Sequence, residues 1–90
     1  MSTLIKANGE QTQVQPEHGE QWTLRELQAF VGGYIQILGL PDGRAMVVNE
    51  EGMIEGLPRN DTATVLAYNA SVSHRGIVGD VLVCEPGALG

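Results

Sequence analysis

A short helix with a defined beginning and end divides this chain into two β-rich parts. Residues 23–26 have the S/T-x-x-E form of a capping box, in which the Thr23 hydroxyl and the Glu26 carboxylate accept hydrogen bonds from otherwise unpaired backbone N–H groups. Gly32 can end the helix in the left-handed conformation, so the sequence predicts a helix over Leu24 to Val31. The predicted inward residues are Leu24, Leu27, Phe30 and Val31, preceded by Trp22 as a hydrophobic staple on Leu27.

Two turn signals predict one β-hairpin on each side of this helix. Asn8-Gly9 is a strong two-residue hairpin signal, and it lies between the short segments Thr3–Ala7 and Gln11–Gln15. Beyond the helix, Pro41–Gly43 is a type I turn signal between two alternating apolar segments. This pattern predicts a second hairpin from Tyr34 to Asn49.

The rest of the chain predicts another turn, a second helix and a last strand. These are a turn at Glu50–Gly52, a short strand at Met53–Gly56, a helix capped by Asn60 or Asp61 with Val65 and Leu66 inward, and a strand at Gly76–Cys84. The element order is typical of an α+β domain with helices on one face of a small, mainly antiparallel sheet. With 90 residues the chain is expected to be a single domain over 1–90, with an ordered core at 3–84 and a mobile tail at 85–90.

The composition excludes several classes of function. Eleven acidic and five basic residues give a net charge of −6, which argues against direct binding of nucleic acid. The chain lacks the run of about 18 apolar residues that a membrane span needs, so a cytoplasmic protein is expected. Cys84 is the only cysteine, which rules out an internal disulfide and a four-cysteine zinc site. Because a domain this small buries a limited core, we also expect a homo-oligomer.

Residues suited to catalysis are not assembled in any recognisable motif. His18 and His74 lie in separate polar loops without metal-ligand spacing. Glu50 and Glu51 are adjacent, so in a strand they would point to opposite faces, and no calcium-loop pattern surrounds them. A polar turn, in which Gly52 supplies a positive φ, explains the pair better than a metal site or an acid–base pair. No catalytic residue, metal ligand or cofactor is predicted.

The central motifs together resemble the family called domain of unknown function 3846. The resemblance rests on Leu27-Gln28, Val31-Gly32-Gly33-Tyr34-Ile35, Asn49-Glu50-Glu51-Gly52, Gly56-Leu57-Pro58, Asn60, Ala63-Thr64 and Ile77-Val78-Gly79-Asp80-Val81. It runs from the capped helix to the last strand. The resemblance implies an origin in a phage or mobile element, action in the host cytoplasm and a non-enzymatic accessory role.

The sequence is compatible with two kinds of binding partner. One is a host protein, contacted through exposed loops or a sheet edge. The other is a small anionic nucleotide in an oligomeric pocket, where Tyr34 and Tyr68 would stack and Arg44 and Arg59 would contact phosphate. The candidate binding residues are Asn49, Glu50, Glu51, Tyr34, Arg44, Arg59 and Asn60.

Overall fold

The computed structural model describes residues 1–89, and the sheet and helices in this range confirm a small α+β fold. The elements are β1 (Ser2–Ile5), β2 (Gln11–Val14), α1 (Leu24–Val31), β3 (Ile35–Gly39), β4 (Ala45–Asn49), α2 (Asp61–Asn69) and β5 (Val81–Cys84). The strands form one sheet in the order β2-β1-β5-β4-β3, and all neighbouring pairs are antiparallel. The last strand of the chain therefore lies at the centre of the sheet and joins the two hairpins.

Both predicted hairpins are present, and glycines with positive φ form their turns. Gly9 has φ +99° between β1 and β2, and Gly43 has φ +90° between β3 and β4. In the second hairpin the Leu40 N–H donates to the Arg44 carbonyl at 2.8 Å, which closes the turn. These conformations favour glycine because it lacks a Cβ.

Helix α1 has the ends that the sequence predicts. The Glu26 N–H donates to Thr23 Oγ1 at 3.2 Å, the Thr23 N–H donates to Glu26 Oε1 at 2.9 Å, and Gly32 ends the helix with φ +80°. Leu27 and Val31 are buried as expected, whereas the prediction that Leu24 faces inward is wrong because its side chain is 58% exposed. Leu24 is the first residue of the helix, and the apolar side begins one turn later.

The two helices cover opposite faces of the sheet, so the prediction that they share one face is wrong. On one face, Ala63 and Ala67 of α2 share a core with Val81 and Val83. On the other face, α1 residues and Trp22 pack in a second core with Leu82. Strand β5 is buried along its whole length because it is the central strand with a core on each face, and its unbroken apolar sequence suits this position.

Two details of the second half also differ from the prediction. Residues 53–56 form turns rather than a strand, since the Glu55 N–H bonds to the Glu51 carbonyl at 2.9 Å and Gly56 has φ +70°. Asn60 caps α2, but small alanines form its inward side, and Val65, predicted to be inward, is 58% exposed. Leu66 is partly buried against the core on that face, in line with the prediction.

The ends of the last strand are shaped by a glycine and by a folded C-terminal segment. Gly79, with φ +77°, interrupts the strand predicted from Gly76, so that β5 begins at Val81. After β5, Ala88 is buried, and its carbonyl accepts a hydrogen bond from the Trp22 N–H at 2.8 Å. The predicted mobility of residues 85–90 stays a prediction. Neither helix in the described range is long and apolar enough to cross a membrane.

Candidate functional site

A cleft of about 410 Å³ lies on the α2 face of the sheet, at its β3 edge. We call it the β3 cleft and define it by its apolar lining, Leu38, Val48, Val72, Ile77 and Val78, and its polar lining, Gln36, Glu50, Ser73 and Arg75. Strands β3 and β4 supply the floor, and segments 50–54 and 72–78 supply the walls. Its volume is within the range of small-molecule pockets.

The wall at 50–56 is fixed by the side chain of Asn49. Asn49 Oδ1 accepts the Glu51 N–H at 2.8 Å, and Nδ2 donates to the Val31 carbonyl at 3.1 Å and to Glu55 Oε1 at 2.9 Å. Both amide hydrogens are therefore used inside the protein, and the residue is buried. Asn49, a predicted binding residue, ties the end of α1 to the turn after β4.

The two walls meet at Gly52, and the prediction that this glycine supplies a positive φ is wrong, because the position needs glycine for lack of space instead. A Cβ at this position would lie 2.7 Å from Val78 Cγ2, closer than side chains approach one another. A similar contact occurs between Gly79 and Leu57, where a Cβ would lie 2.8 Å from Leu57 Cδ1. The glycines at 52 and 79 thus allow the segments after β4 and before β5 to pack directly together.

The rim of the cleft combines apolar side chains with two opposite charges. Ile54 is 85% exposed and Met53 is 62% exposed, although both are close to the apolar lining. Glu50 lies on the same wall, and Arg75 lies on the facing wall. No ion pair within residues 1–89 involves Arg75.

Glu50 and Glu51 face different surroundings and do not form a pair. Glu50 lines the β3 cleft, whereas Glu51 lines a shallower depression with Tyr34, Gly33 and Glu55. The structure contains no group of three acidic, histidine or cysteine side chains suited to a metal ion in the part of the chain it describes. Neither His18 nor His74 lines the β3 cleft, and His74 instead stacks edge-on against Tyr68 at 5.9 Å between ring centroids.

The two arginines predicted to contact phosphate lie apart and are each paired with a carboxylate. Arg44 Nε is 2.7 Å from Asp42 Oδ2 in the β3–β4 turn, at the opposite end of β4 from Asn49. The Arg44 backbone N–H and side chain, which both donate to Asp42, lower the pKa of that carboxyl. Arg59 Nε is 3.0 Å from Asp61 Oδ1, and the Arg59 guanidinium lies close to Gly76. These two arginines do not form a joint clamp.

Tyr34 and Tyr68 are also separated, and Asn60 is internal. Both tyrosines are exposed, but Tyr34 lies between α1 and β3 in the depression that Glu51 lines, whereas Tyr68 lies on α2 against His74. Asn60 is 1% exposed, and its Nδ2 donates to the Ile5 and Gly79 carbonyls, each at 2.9 Å. Its Oδ1 accepts the Ala63 N–H at 3.0 Å as the α2 cap, so its side chain is fully occupied.

Sequence reasoning missed Gln36, Ile54 and Arg75 as residues of one site. They come from β3, from the turn after β4 and from the loop before β5, and only the assembled sheet brings them together. The apolar pair Met53-Ile54 between Gly52 and Gly56 was the one local signal available. The cleft therefore depends on long-range pairing.

One family model matches almost the whole chain. The model described as Domain of unknown function (DUF3846) matches residues 1–89. No curated protein and no solved structure matches the chain. The match extends over the amino-terminal hairpin as well as the central motifs.

Proposed function

We propose that this chain, which belongs to the family Domain of unknown function (DUF3846), is a non-enzymatic accessory protein that binds a host protein through the rim of the β3 cleft. In this proposal it is encoded by a phage or mobile element and acts in the host cytoplasm as a homo-oligomer. The origin, the compartment and the partner come from the family resemblance. The binding surface comes from the arrangement of residues 50–54 and 72–78.

Exposure of Ile54 is the observation that carries the proposal. The side chain of Ile54 is 85% exposed, and its full burial by a partner would contribute about 1.5–3 kcal/mol to the free energy of binding. Ile54 also stands beside Met53 at the edge of an apolar-lined cleft, which gives a partner side chain a place to enter. A buried apolar contact surrounded by polar groups is the usual form of an energetically important interface centre.

The rim is preorganised, which lowers the entropy cost of binding. The Asn49 side chain holds segment 50–56 through two hydrogen bonds, with Glu51 and Glu55, and a third bond to the Val31 carbonyl anchors the side chain to the end of α1. The Leu57 N–H also donates to the Gly52 carbonyl at 3.0 Å. A loop that is already fixed loses little conformational freedom when it meets a partner. The net charge of −6 favours a partner with a basic surface around the contact, since opposite charges speed association.

A pull-down with matched variants tests this proposal. Tagged wild type, Ile54→Asp and Val65→Asp are used as bait in host lysate, and Glu50→Ala/Glu51→Ala is added to test the two carboxylates of the turn after β4. Val65 is a suitable control because it is exposed on α2 and does not line the cleft. We expect a protein that wild type and Val65→Asp retain and Ile54→Asp loses. Equal retention by Ile54→Asp would contradict the proposed surface.

A second candidate function is sequestration of a small anionic nucleotide in the same cleft. Arg75 favours it, because this residue lines the cleft wall beside Ser73, faces the floor residue Gln36 and takes part in no ion pair of residues 1–89. Arg44 and Arg59 are weaker candidates for phosphate contacts because each already pairs with an aspartate.

Thermal shift measurements distinguish this second candidate. Ligand binding to the folded state raises the melting temperature. We expect cyclic dinucleotides or ADP-ribose derivatives to stabilise wild type and the control Arg25→Gln, and to have no effect on Arg75→Gln. If none of these nucleotides shifts wild type, the sequestration function is wrong.

A further inference from the structure

Strand β3 has an open edge that lacks the usual protection against pairing. It is the last strand in the sheet order, and within residues 1–89 no strand pairs with its outer side. Between Tyr34 and Leu40 the sequence contains no charged residue and no proline, and Ile37 is 50% exposed. Natural edge strands are commonly blocked by charges, prolines or bulges. The opposite edge, β2, is mostly glutamine and threonine.

The hydrogen bonds at both ends of the hairpin fix which backbone groups of β3 are free. The Glu50 N–H donates to the Tyr34 carbonyl at 2.9 Å, and the Leu40 N–H donates to the Arg44 carbonyl at 2.8 Å. In an antiparallel pair, hydrogen-bonded and non-hydrogen-bonded positions alternate. Given this register, residues 36 and 38 bond to β4, and the N–H and C=O groups of residues 35, 37 and 39 point away from the sheet.

This edge is self-complementary when it is paired with a second copy about Ile37. In an antiparallel arrangement centred there, Ile37 lies opposite Ile37 of the second copy, and Ile35 lies opposite Gly39. Each of these pairs can exchange two hydrogen bonds, so every outward group of residues 35, 37 and 39 is satisfied. Gly39 has no side chain, and a Cβ built there meets nothing within 4 Å, which leaves room for the facing isoleucine.

We infer that β3 pairs with β3 of a second copy in this register, so that two five-stranded sheets become one continuous sheet. The net charge of −6 makes copies repel one another over most of the surface, and the uncharged β3 edge is a place where they can approach. Burial of both Ile37 side chains adds apolar area to a domain whose own core is small. This inference rests on the homo-oligomer in the proposed function, but it requires no host partner.

The dimer also relates the two β3 clefts to each other. The two-fold axis is perpendicular to the sheet at Ile37, so both clefts open on the same face. Gln36 of one copy lies opposite Leu38 of the other, and both residues line the cleft. The two clefts are therefore neighbours across the interface, and the dimer presents two copies of the binding rim in the same direction.

Two pairs of variants test the interface directly. Light scattering after size exclusion should give a dimer for wild type and for Thr12→Lys on the β2 edge, and a monomer for Ile37→Lys. Like charges placed opposite each other weaken strand pairing, and we expect the dimer dissociation constant to rise by about tenfold or more. Circular dichroism establishes that each lysine variant is folded.

Disulfide trapping fixes the register even if Ile37→Lys does not fold. In a Cys84→Ala background, Ile37→Cys should form a disulfide-linked dimer under mild oxidation, because directly opposed Cα atoms about 5.5 Å apart are within disulfide range. Thr12→Cys should remain unlinked. A monomeric wild type, a dimer that Ile37→Lys leaves intact, or linkage through Thr12→Cys instead of Ile37→Cys would each overturn the inference. None of these results depends on finding a host protein, so failure here leaves the partner proposal standing.

Discussion

Two buried asparagines connect segments of this chain that are distant in the sequence. Asn49 joins the end of α1 to the turn after β4, and Asn60 joins the start of α2 to β1 and to the segment before β5. A buried carboxamide is stable only when its donors and acceptor are paired, and both residues meet this requirement. These hydrogen bonds give both asparagines a structural role.

Replacement of Asn60 by alanine should be strongly destabilising. The change removes the α2 cap and the two hydrogen bonds to the Ile5 and Gly79 carbonyls, all in a buried setting. We expect a loss of about 2–4 kcal/mol in the free energy of unfolding. Urea unfolding measures the loss, with Thr23→Ala as the control. Thr23 caps α1 in an exposed position, so its replacement should cost about 1 kcal/mol. Equal losses for the two variants would show that the Asn60 donor bonds add nothing.

The Cys84 thiol gives a prediction about pH. Burial raises the pKa of Cys84 from its ordinary value of 9.0 to about 11, against a smaller lowering effect of Ser2. Between these two values the unfolded chain loses the thiol proton before the folded chain does. The contribution to stability is therefore complete below pH 9 and falls as the pH rises towards 11, by at most about 1.4 kcal/mol per pH unit.

Denaturant unfolding between pH 8 and pH 10.5 tests this prediction when wild type is compared with Cys84→Ala. Other groups titrate in both proteins, so the difference in slope reports on the thiol. The wild type should lose stability more steeply than the variant. Parallel pH profiles would mean that the folded protein does not raise the pKa of this thiol.

At the scale of elements, the ends of helices and hairpins were predictable, and the packing between elements was not. The Thr23 cap, the Gly32 stop and the Asn8-Gly9 turn act through neighbours in the sequence, and each formed as predicted. The shift from Val65 to alanines on the inner side of α2 depends on the strands that pack against this helix. Local patterns carry no information about those contacts.

The contact between Gly52 and Val78 gives a prediction about how closely the segment after β4 packs against the segment before β5. Gly52→Ala places a methyl group 2.7 Å from Val78 Cγ2, and the β-branched valine has little freedom to move aside. We expect a loss of about 1–3 kcal/mol. The double variant Gly52→Ala/Val78→Ala should be less destabilised than the sum of the two single variants. Simple additivity in urea unfolding would show that the two segments do not press on each other.

At the scale of the whole molecule, the candidate site could not be predicted because it is assembled from distant parts. Gln36, Ile54 and Arg75 meet only when β5 enters the middle of the sheet and brings the loop before it next to the turn after β4. The predicted residues Arg44 and Arg59 were instead spread to separate surfaces, each with an aspartate partner. The order of the elements along the chain was enough to predict the fold class. The site depends on the order of the strands within the sheet, which local sequence patterns do not determine.

The central position of β5 predicts that both cores unfold together. Val83 belongs to the core on the α2 side, while Leu82 belongs to the core on the α1 side that also contains Trp22. Since β5 contributes residues to both cores, unfolding of either core disrupts the strand on which the other core packs. Val83→Ala should cost roughly 1–3 kcal/mol. In this variant the unfolding transition measured by Trp22 fluorescence should shift as much as the one measured by far-UV circular dichroism, although Trp22 is on the opposite face of the sheet from Val83. Two separate transitions, with Trp22 fluorescence unmoved, would show instead that the layers on the two faces of the sheet are independent units.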